Sequence, residues 1–444
     1  MPFQVPALVA SRVSAKAKDL LTKVDKFVEE ECIPSERVFA AQQASFEKRF
    51  GGEPAVMFEL QEKAKQLGLW NTFLHRKWYT EGAGFNNVEY ILLAGILGRS
   101  PLAGEAINCA PPEDANMELL ALYGTPQQKK DYLVGMLDGS VRSAILNTEK
   151  EVAASEWFNL AMTGVQEGNE LVLNGAKWFG SGVGHPRCKF FVVSVKTDPN
   201  NPDPLKQQSM VLVPKDTPGV KVERMVSNFG FDNAPRGFGG EITFKNARVP
   251  ISSVILGLGR AFEIHGSRNP LAKIYHAGRC LGGAERALEM MIARVNDPAR
   301  KIGGKLISQF DIIMEWVARS RMEIDAARLI TLNAAMKVDD TDGTIGKGAE
   351  VEITQAKIMG PATVLKVLDR AIQAHGGLGV TQDVILTQMY SEFRTMRIVI
   401  GPDEVQLVQM GRDVNERSQA CLGQVEEQKK RAEQKLKENG FRVY

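Results

Sequence analysis

The chain has 444 residues, more than one ordinary hydrophobic core accommodates, so two or three domains are expected. Apolar residues make up 44% and charged residues 24%, and the formal net charge is +2. That near-neutral balance gives no reason to expect nucleic acid or an acidic membrane surface as a partner. No apolar run of about 18 residues exists, so no membrane-spanning helix is predicted.

From about Ser11 to Gln66 the apolar residues recur at a helical period. "AKDLLTKVDKFVEEE" places Leu20, Val24, Phe27 and Val28 on one face, and Pro34 is expected to end that helix. "NNVEYILLAGILGRS" predicts a second helix capped by Asn86 or Asn87. "GTPQQKKDYLVGMLDG" predicts a third, opened by Thr125-Pro126 and closed by Gly139. The texture changes after Val141. "ELVLNGAKWFGSG" carries Asn-Gly between apolar runs and predicts a hairpin turn there. "CKFFVVSVKTD", "SMVLVPKD" and "GEITFKNARVP" read as further short strands, giving a domain of antiparallel strands.

Helical period returns with "LGGAERALEMMIARV" and continues through "DIIMEWVARSRMEIDAARLITLNAAMK" and "AEVEITQAKIMGPATVLKVLDRAIQA", as in a buried bundle. Near the end, "MRIVIGPDEVQ" reads as a strand-like apolar run, a glycine turn and an acidic segment, with the aspect of an active-site loop. The tail from Val425 to Asn439 is poor in apolar residues and has Glu426/Lys430, Glu427/Arg431 and Glu433/Lys437 at i,i+4, which predicts a solvated helix closed by Gly440. The expected division is α+β: an N-terminal helical domain (1–142), a middle β domain (143–255), a C-terminal four-helix bundle (256–424) and a charged helical tail (425–444).

Cys32, Cys109, Cys188, Cys280 and Cys421 are far apart, and neither they nor His75, His185, His265, His276 and His375 show a metal-ligand spacing. Reduced thiols and no metal are expected. The first eighteen residues hold Arg12, Lys16 and Lys18 and no acid, a weak transit-peptide signal that reads equally as the start of the first helix. The terminal "FRVY" is not a peroxisomal address. A cytoplasmic location is expected, with mitochondrion and peroxisome left open.

Taken together, "NVEYILLAGILGRSP", "NMELLALYGTPQQKKDYLVGMLDG", "NGAKWFGSGVG", "GGAERALEMM" and "AIQAHGGLGV" resemble the acyl-CoA dehydrogenase family in content and order, over about residues 12–420. The loop resembles the branch that reads "GPDEV". The resemblance implies FAD held between the β domain and the C-terminal bundle, and an acyl-CoA or related acyl substrate. It also implies a homodimer or homotetramer in which a second subunit completes each flavin site. The electron acceptor, a flavoprotein or oxygen, stays open.

Carried over residue by residue, "QAHGG" matches the family's Q-x-x-G-G, so Gln373, Gly376 and Gly377 are implied to serve the neighbouring subunit's flavin. Adjacent glycines also let backbone N–H groups approach a pyrophosphate, although a helix C-cap explains them as well. Trp178 is implied at the flavin edge, Thr148 as a hydrogen-bonding partner of the flavin ring, and Arg300 as an arginine reaching the partner's diphosphate. The ordinary alternatives are a core tryptophan, a sheet threonine and a surface arginine. Ser155, Gly180, Pro402 and Glu404 complete the implied cofactor-binding set.

The departures from the family pattern are specific. "TEP" is Thr148-Glu149-Lys150 here, Gly180 replaces a hydroxyl residue with Ser181 beside it, and the phenylalanine of "R-x-x-F-G-K" is Gly303. The catalytic carboxylate usually precedes the loop glycine, where this chain has Ile400. The other location used in the family corresponds to Ala272, followed by Lys273. Ile400 would keep only a backbone N–H able to hold a thioester carbonyl. Tyr275 and His276, one turn beyond Ala272, are weak substitutes for the base, and packing explains them equally. Four readings stand at this stage: a flavoenzyme of altered chemistry, an ordinary dehydrogenase with another base, a flavin oxidase or monooxygenase, and a non-catalytic acyl-CoA-binding subunit.

Overall fold

The computed structural model describes residues 3–73, 83–341 and 345–443. His75 lies outside them.

The first helix, Ala15–Phe27, is capped by Ser14, whose Oγ accepts the Ala17 N–H at 3.1 Å, and buries Leu21, Val24 and Phe27. Pro34 does not end the helical path. A π-helical turn, Val28–Cys32, leads into Ile33–Ala44, and Pro34 sits in the first turn of that segment. The helix runs on through it because the wider π turn takes up the proline: the Ile33 N–H bonds back five residues to Val28 O, and the missing N–H at Pro34 falls where the path returns to α geometry. Helix Asn87–Leu97 starts with a full capping box between Asn86 and Glu89, and almost all its residues are buried. Helix Glu113–Tyr123 follows, with Glu113, Asp114 and Glu118 buried.

The middle domain is one mixed sheet, not the purely antiparallel one expected. Its strands are β1 (Arg142–Leu146), β2 (Thr163–Glu167), β3 (Glu170–Gly180), β4 (Cys188–Lys196), β5 (Gln208–Pro214), β6 (Val220–Met225) and β7 (Gly240–Pro250). They run in the order β1-β4-β2-β3-β7-β6, with β5 on β4. β1 and β2 pair with β4 in parallel and the other pairs are antiparallel. Asn174-Gly175 is not a turn. β3 runs straight through it, and the β2–β3 turn lies at 168–169. The pair forms a bulge against β7 instead: Gly175 has φ 141°, and the Asn174 Oδ1 accepts the Asn246 N–H at 2.8 Å. A bulge uses the same conformational freedom as a turn without reversing the chain.

The C-terminal domain contains three long helices, Ala261–Val295, Asp311–Asp339 and Glu350–His375, with the shorter Leu386–Thr395 packed beside them. The segment 396–400 is turn, not strand: the Ile398 and Val399 N–H groups both bond back to Thr395 O, at 2.9 and 3.1 Å. Helix Asp403–Asn415 follows. The tail helix begins at Ser418 rather than 425 and has no buried residue. Glu427 pairs with Arg431 at 3.0 Å as expected, whereas Glu426 meets Lys429 at 3.8 Å. No helix among the described residues is long and apolar enough to cross a membrane.

Helices Asn87–Leu97 and Ala261–Val295 touch backbone to backbone. A Cβ on Gly282 would lie 1.8 Å from the Gly95 carbonyl oxygen. This contact ties the N-terminal domain to the C-terminal one, one turn along the long helix from Arg279.

Candidate functional site

A cavity of about 730 Å³ opens where the three parts meet. The sheet side contributes Thr148, Ser155, Trp178, Phe179 and Ser181. The C-terminal side contributes Arg268, Ala272, Tyr275, His276 and Arg279 from one face of the long helix. Ile400, Gly401 and Pro402 close it from the loop, and Asp114 and Glu118 wall the far side.

The structure therefore brings together most of the residues singled out in the sequence. Thr148 and Trp178 form a single rim: the Thr148 Oγ1 donates to Trp178 O at 2.6 Å, and the Trp178 N–H donates to Thr148 O at 2.8 Å. Gly180 is buried and outside the lining. A Cβ there would fall 2.4 Å from Leu146 Cδ2, so the position faces the sheet's core and Ser181 faces the cavity. The register shift between Lys177 and Gly180 produces that offset. Glu404 is exposed and outside the lining, whereas Pro402 is in it.

Gln373, Gly376, Gly377 and Arg300 lie elsewhere. All four are exposed. Arg294 donates to His375 O at 3.0 Å, and Arg294 and Arg300 both act electrostatically on His375, so this segment forms a basic corner on the outside of the bundle.

The two proposed substitutes for a base are poorly suited to that role. The Tyr275 hydroxyl donates to Asn87 Oδ1 at 2.9 Å, and its ring meets Tyr90 edge-on at 3.9 Å. The His276 imidazole is pushed down to about 3, by burial and by the neighbouring Arg279, and stays neutral and weakly basic at neutral pH.

The loop is held firmly. Lys357 donates to Met396 O at 2.7 Å and lies 3.8 Å from Asp403. Arg397 bonds Asp403 at 2.6 Å, and the Asp403 N–H returns to Arg397 O at 3.1 Å. Asp403 is thus a buried structural anchor. Within this clamp Ile400 has φ 57°, a left-handed conformation that is costly for a β-branched residue. No acceptor among the described residues takes its N–H.

The family models match along nearly the whole chain: the acyl-CoA dehydrogenase N-terminal domain at residues 14–140, the middle domain at 144–247 and the C-terminal domain at 270–415. FadE2 of Mycobacterium tuberculosis, named as an acyl-CoA dehydrogenase, is 39% identical over 409 residues, covering 90% of this chain and 95% of its own. The chain belongs to the acyl-CoA dehydrogenase family. Acyl-CoA dehydrogenase family member 11 of Gallus gallus is 39% identical over 403 residues, which is 90% of this chain but 50% of that protein. The chain thus spans about half the length of the animal relatives it matches. A solved structure from Mycobacterium abscessus, named as an acyl-CoA dehydrogenase, superposes with a TM-score of 0.87 at 38% identity, covering 91% of this chain and 99% of the other.

Within this family member, sequence reading missed the polar wall of the cavity. Asp114 accepts from Arg279 at 2.5 Å and from the Tyr90 hydroxyl at 3.1 Å, and is held below the usual carboxylate range although it is buried. Glu118, four residues on, is pushed up to about 8, first by burial and then by Asp114. Glu113 rises to about 7 by burial. Acids on a helix normally read as its solvated face, and nothing in "EDANMELL" signals otherwise. Glu149, from the "TEK" segment, also lines the cavity but is tied down: it accepts the Ala161 and Met162 N–H groups at 2.7 and 3.0 Å and Lys177 Nζ at 2.8 Å.

Glu118 carries a pH prediction. Its folded value is raised, so its contribution is fully present below the ordinary carboxyl range near 4.5 and is lost as pH climbs through about 8. Glu118→Gln is expected to gain stability over the parent between pH 5 and 9, by on the order of 3 kcal/mol. Urea unfolding at several pH values reads it, and a pH-independent difference would contradict it.

Proposed function

We propose that this chain is a FAD-dependent oxidoreductase acting at the CH–CH group of an acyl thioester or related acyl compound, with chemistry altered because Ile400 stands where the family carries its base. One observation carries the reading. A clamped loop holds Ile400 in a left-handed conformation with its N–H available, while the side chain there can neither take nor give a proton.

The lining suits a flavin. Trp178 and Phe179, with Phe238 beyond, offer an aromatic wall, and the hydroxyls of Thr148, Ser155 and Ser181 offer polar partners for a ring with polar edges. The exposed Gln373, Gly376, Gly377 and Arg300 fit a role toward a second subunit's cofactor. When bound, FAD supplies the hydride acceptor. The chain supplies the rest: the Ile400 N–H donates to the thioester carbonyl, the apolar side chains of Met396, Ile398, Val399 and Ile400 exclude water, and Asp403 keeps the loop in register. Three of the carboxyl groups lining the cavity are committed elsewhere: Asp114 to Arg279, Glu149 to Lys177, and Glu392 to Arg236 at 2.6 Å.

A substrate whose α-proton is already acidic, or already gone, needs no base. Saturated acyl-CoAs are therefore expected to leave the flavin of the purified protein oxidised in anaerobic mixing experiments followed by absorbance. Rapid bleaching by any of them would return the protein to the ordinary dehydrogenases. Failure to take up FAD would favour a non-catalytic subunit. Arg300→Ala combined with Gln373→Ala is expected to lower FAD content and weaken assembly, read by gel filtration with absorbance detection. A flavin-replete monomer would refute the second-subunit role.

A further inference from the structure

The reaction centre proposed above is split between two domains. Thr148 and Trp178 belong to the β side, and Ile400 to the loop that follows helix Leu386–Thr395 on the C-terminal side. An ion pair crosses between them in the cavity wall: Arg236, on the connection from β6 to β7, donates to Glu392 at 2.6 Å. Beside it the Ser391 hydroxyl donates to Asn228 O at 2.7 Å. Each end of the pair connects to the part it would align. Three residues after Arg236, the Gly239 N–H bonds Gly180 O at 3.2 Å, on the strand that carries Trp178. Glu392 O accepts the Thr395 hydroxyl at 2.7 Å, and Thr395 O accepts the Ile398 and Val399 N–H groups, which leads straight to Ile400. Behind Arg236 stands Glu105 at 3.9 Å, itself held by Arg142 at 2.9 Å. The four side chains alternate in sign and none is more than 15% exposed, so salt screens them little. Desolvation offsets much of the attraction in a buried pair, so net stability is a weak reason for this row. Its position between the two halves of the site is a stronger one.

We propose that Arg236 is a positioning residue: through Glu392 it sets where the Ile400 N–H stands against a thioester lying along the Thr148–Trp178 rim. This rests on the acyl-thioester reading above. The clamp of Lys357, Arg397 and Asp403 does not do this, because all three residues belong to the C-terminal domain and move with the loop. Arg236 belongs to the other domain and fixes the loop relative to it. The precision matters because a donor acts on a developing oxyanion only where the two meet at hydrogen-bond distance, and a displacement of about 1 Å costs on the order of 100-fold.

The test is a pH titration of the FAD-loaded protein saturated with acetoacetyl-CoA, followed by the difference absorbance of the ligand's enolate. The α-proton of this thioester lies between two carbonyls and passes to the buffer, so no base on the protein is needed. A donor at Ile400 favours the ionised form, so the bound ligand is expected to titrate below the free one. Arg236→Met is expected to raise that midpoint by about one pH unit, a tenfold loss of preference for the enolate. Removing a nearby cation would raise it too, so Glu392→Gln is the deciding variant. It keeps the side chain's shape and removes a negative charge, which by its field alone would lower the midpoint. A rise reports lost geometry. The double variant is expected to go no higher than Arg236→Met alone, since both changes break one contact. A midpoint that falls or stays in Glu392→Gln, or that climbs further in the double variant, would overturn the proposal. So would a parent whose bound ligand titrates at the free value, which leaves thioester binding intact. A parent that does not bind acetoacetyl-CoA would overturn the acyl-thioester reading as well.

Discussion

Replacing Ile400 with glutamate is expected to raise the dehydrogenation of a saturated acyl-CoA by about 10²–10⁴-fold, the usual worth of a positioned general base. The backbone the new side chain needs is present. Ile400 has φ 57° in a loop anchored by Lys357, Arg397 and Asp403, and a glutamate tolerates that conformation better than a β-branched residue. The neighbours Met396, Ile398 and Val399 are apolar, which would raise the new carboxyl toward neutrality, where a base works best. Reduction of an artificial electron acceptor, measured over several chain lengths, checks it. No gain at any length would mean that the cavity does not seat a saturated thioester against this loop.

Gly282→Ala is expected to destabilise the fold by about 3 kcal/mol or more, the scale of overpacking where the obstacle cannot move. The obstacle is the Gly95 carbonyl, 1.8 Å from the added Cβ. It is helix backbone, so the two helices must separate. Those helices also carry Asn87, Tyr275 and Arg279, so the separation would reach the cavity through the Tyr275–Asn87 hydrogen bond. Urea unfolding gives the magnitude, and a loss under about 1 kcal/mol would show that the interface is looser than its geometry implies. Gly266→Ala, on the same helix with open space around it, is the control expected to be neutral or mildly stabilising.

The three-part order, the helix caps at Asn86 and Thr125 and the strands around Trp178 were legible because each rests on local chemistry: a side-chain acceptor at the right offset, a period of 3.6 or of 2. Local signals failed where two structures satisfy them. Asn174-Gly175 suits a turn or a bulge, and the neighbouring strand β7 selected the bulge. Pro34 suits a helix end or a kink within a continuing helix, and the π turn before it lets the helix continue.

The site divides in the same way. Trp178, Thr148 and Ile400 could be found in the sequence because each belongs to a contiguous motif whose spacing is itself the signal. The polar wall could not. Asp114, Glu118 and Arg268 come from helices 150 residues apart in the chain, and each reads alone as a solvated charge. Whether a charge is solvated, paired or left facing a cavity depends on what lies within a few ångströms, and only the packing of Glu113–Tyr123 against Ala261–Val295 decides that. The sequence by itself determined the family, the order of domains and the absence of a carboxylate at Ile400. The tertiary structure decided that Asp114 is paired with Arg279 and that burial raises Glu118, because desolvation and pairing are properties of a place and not of a residue.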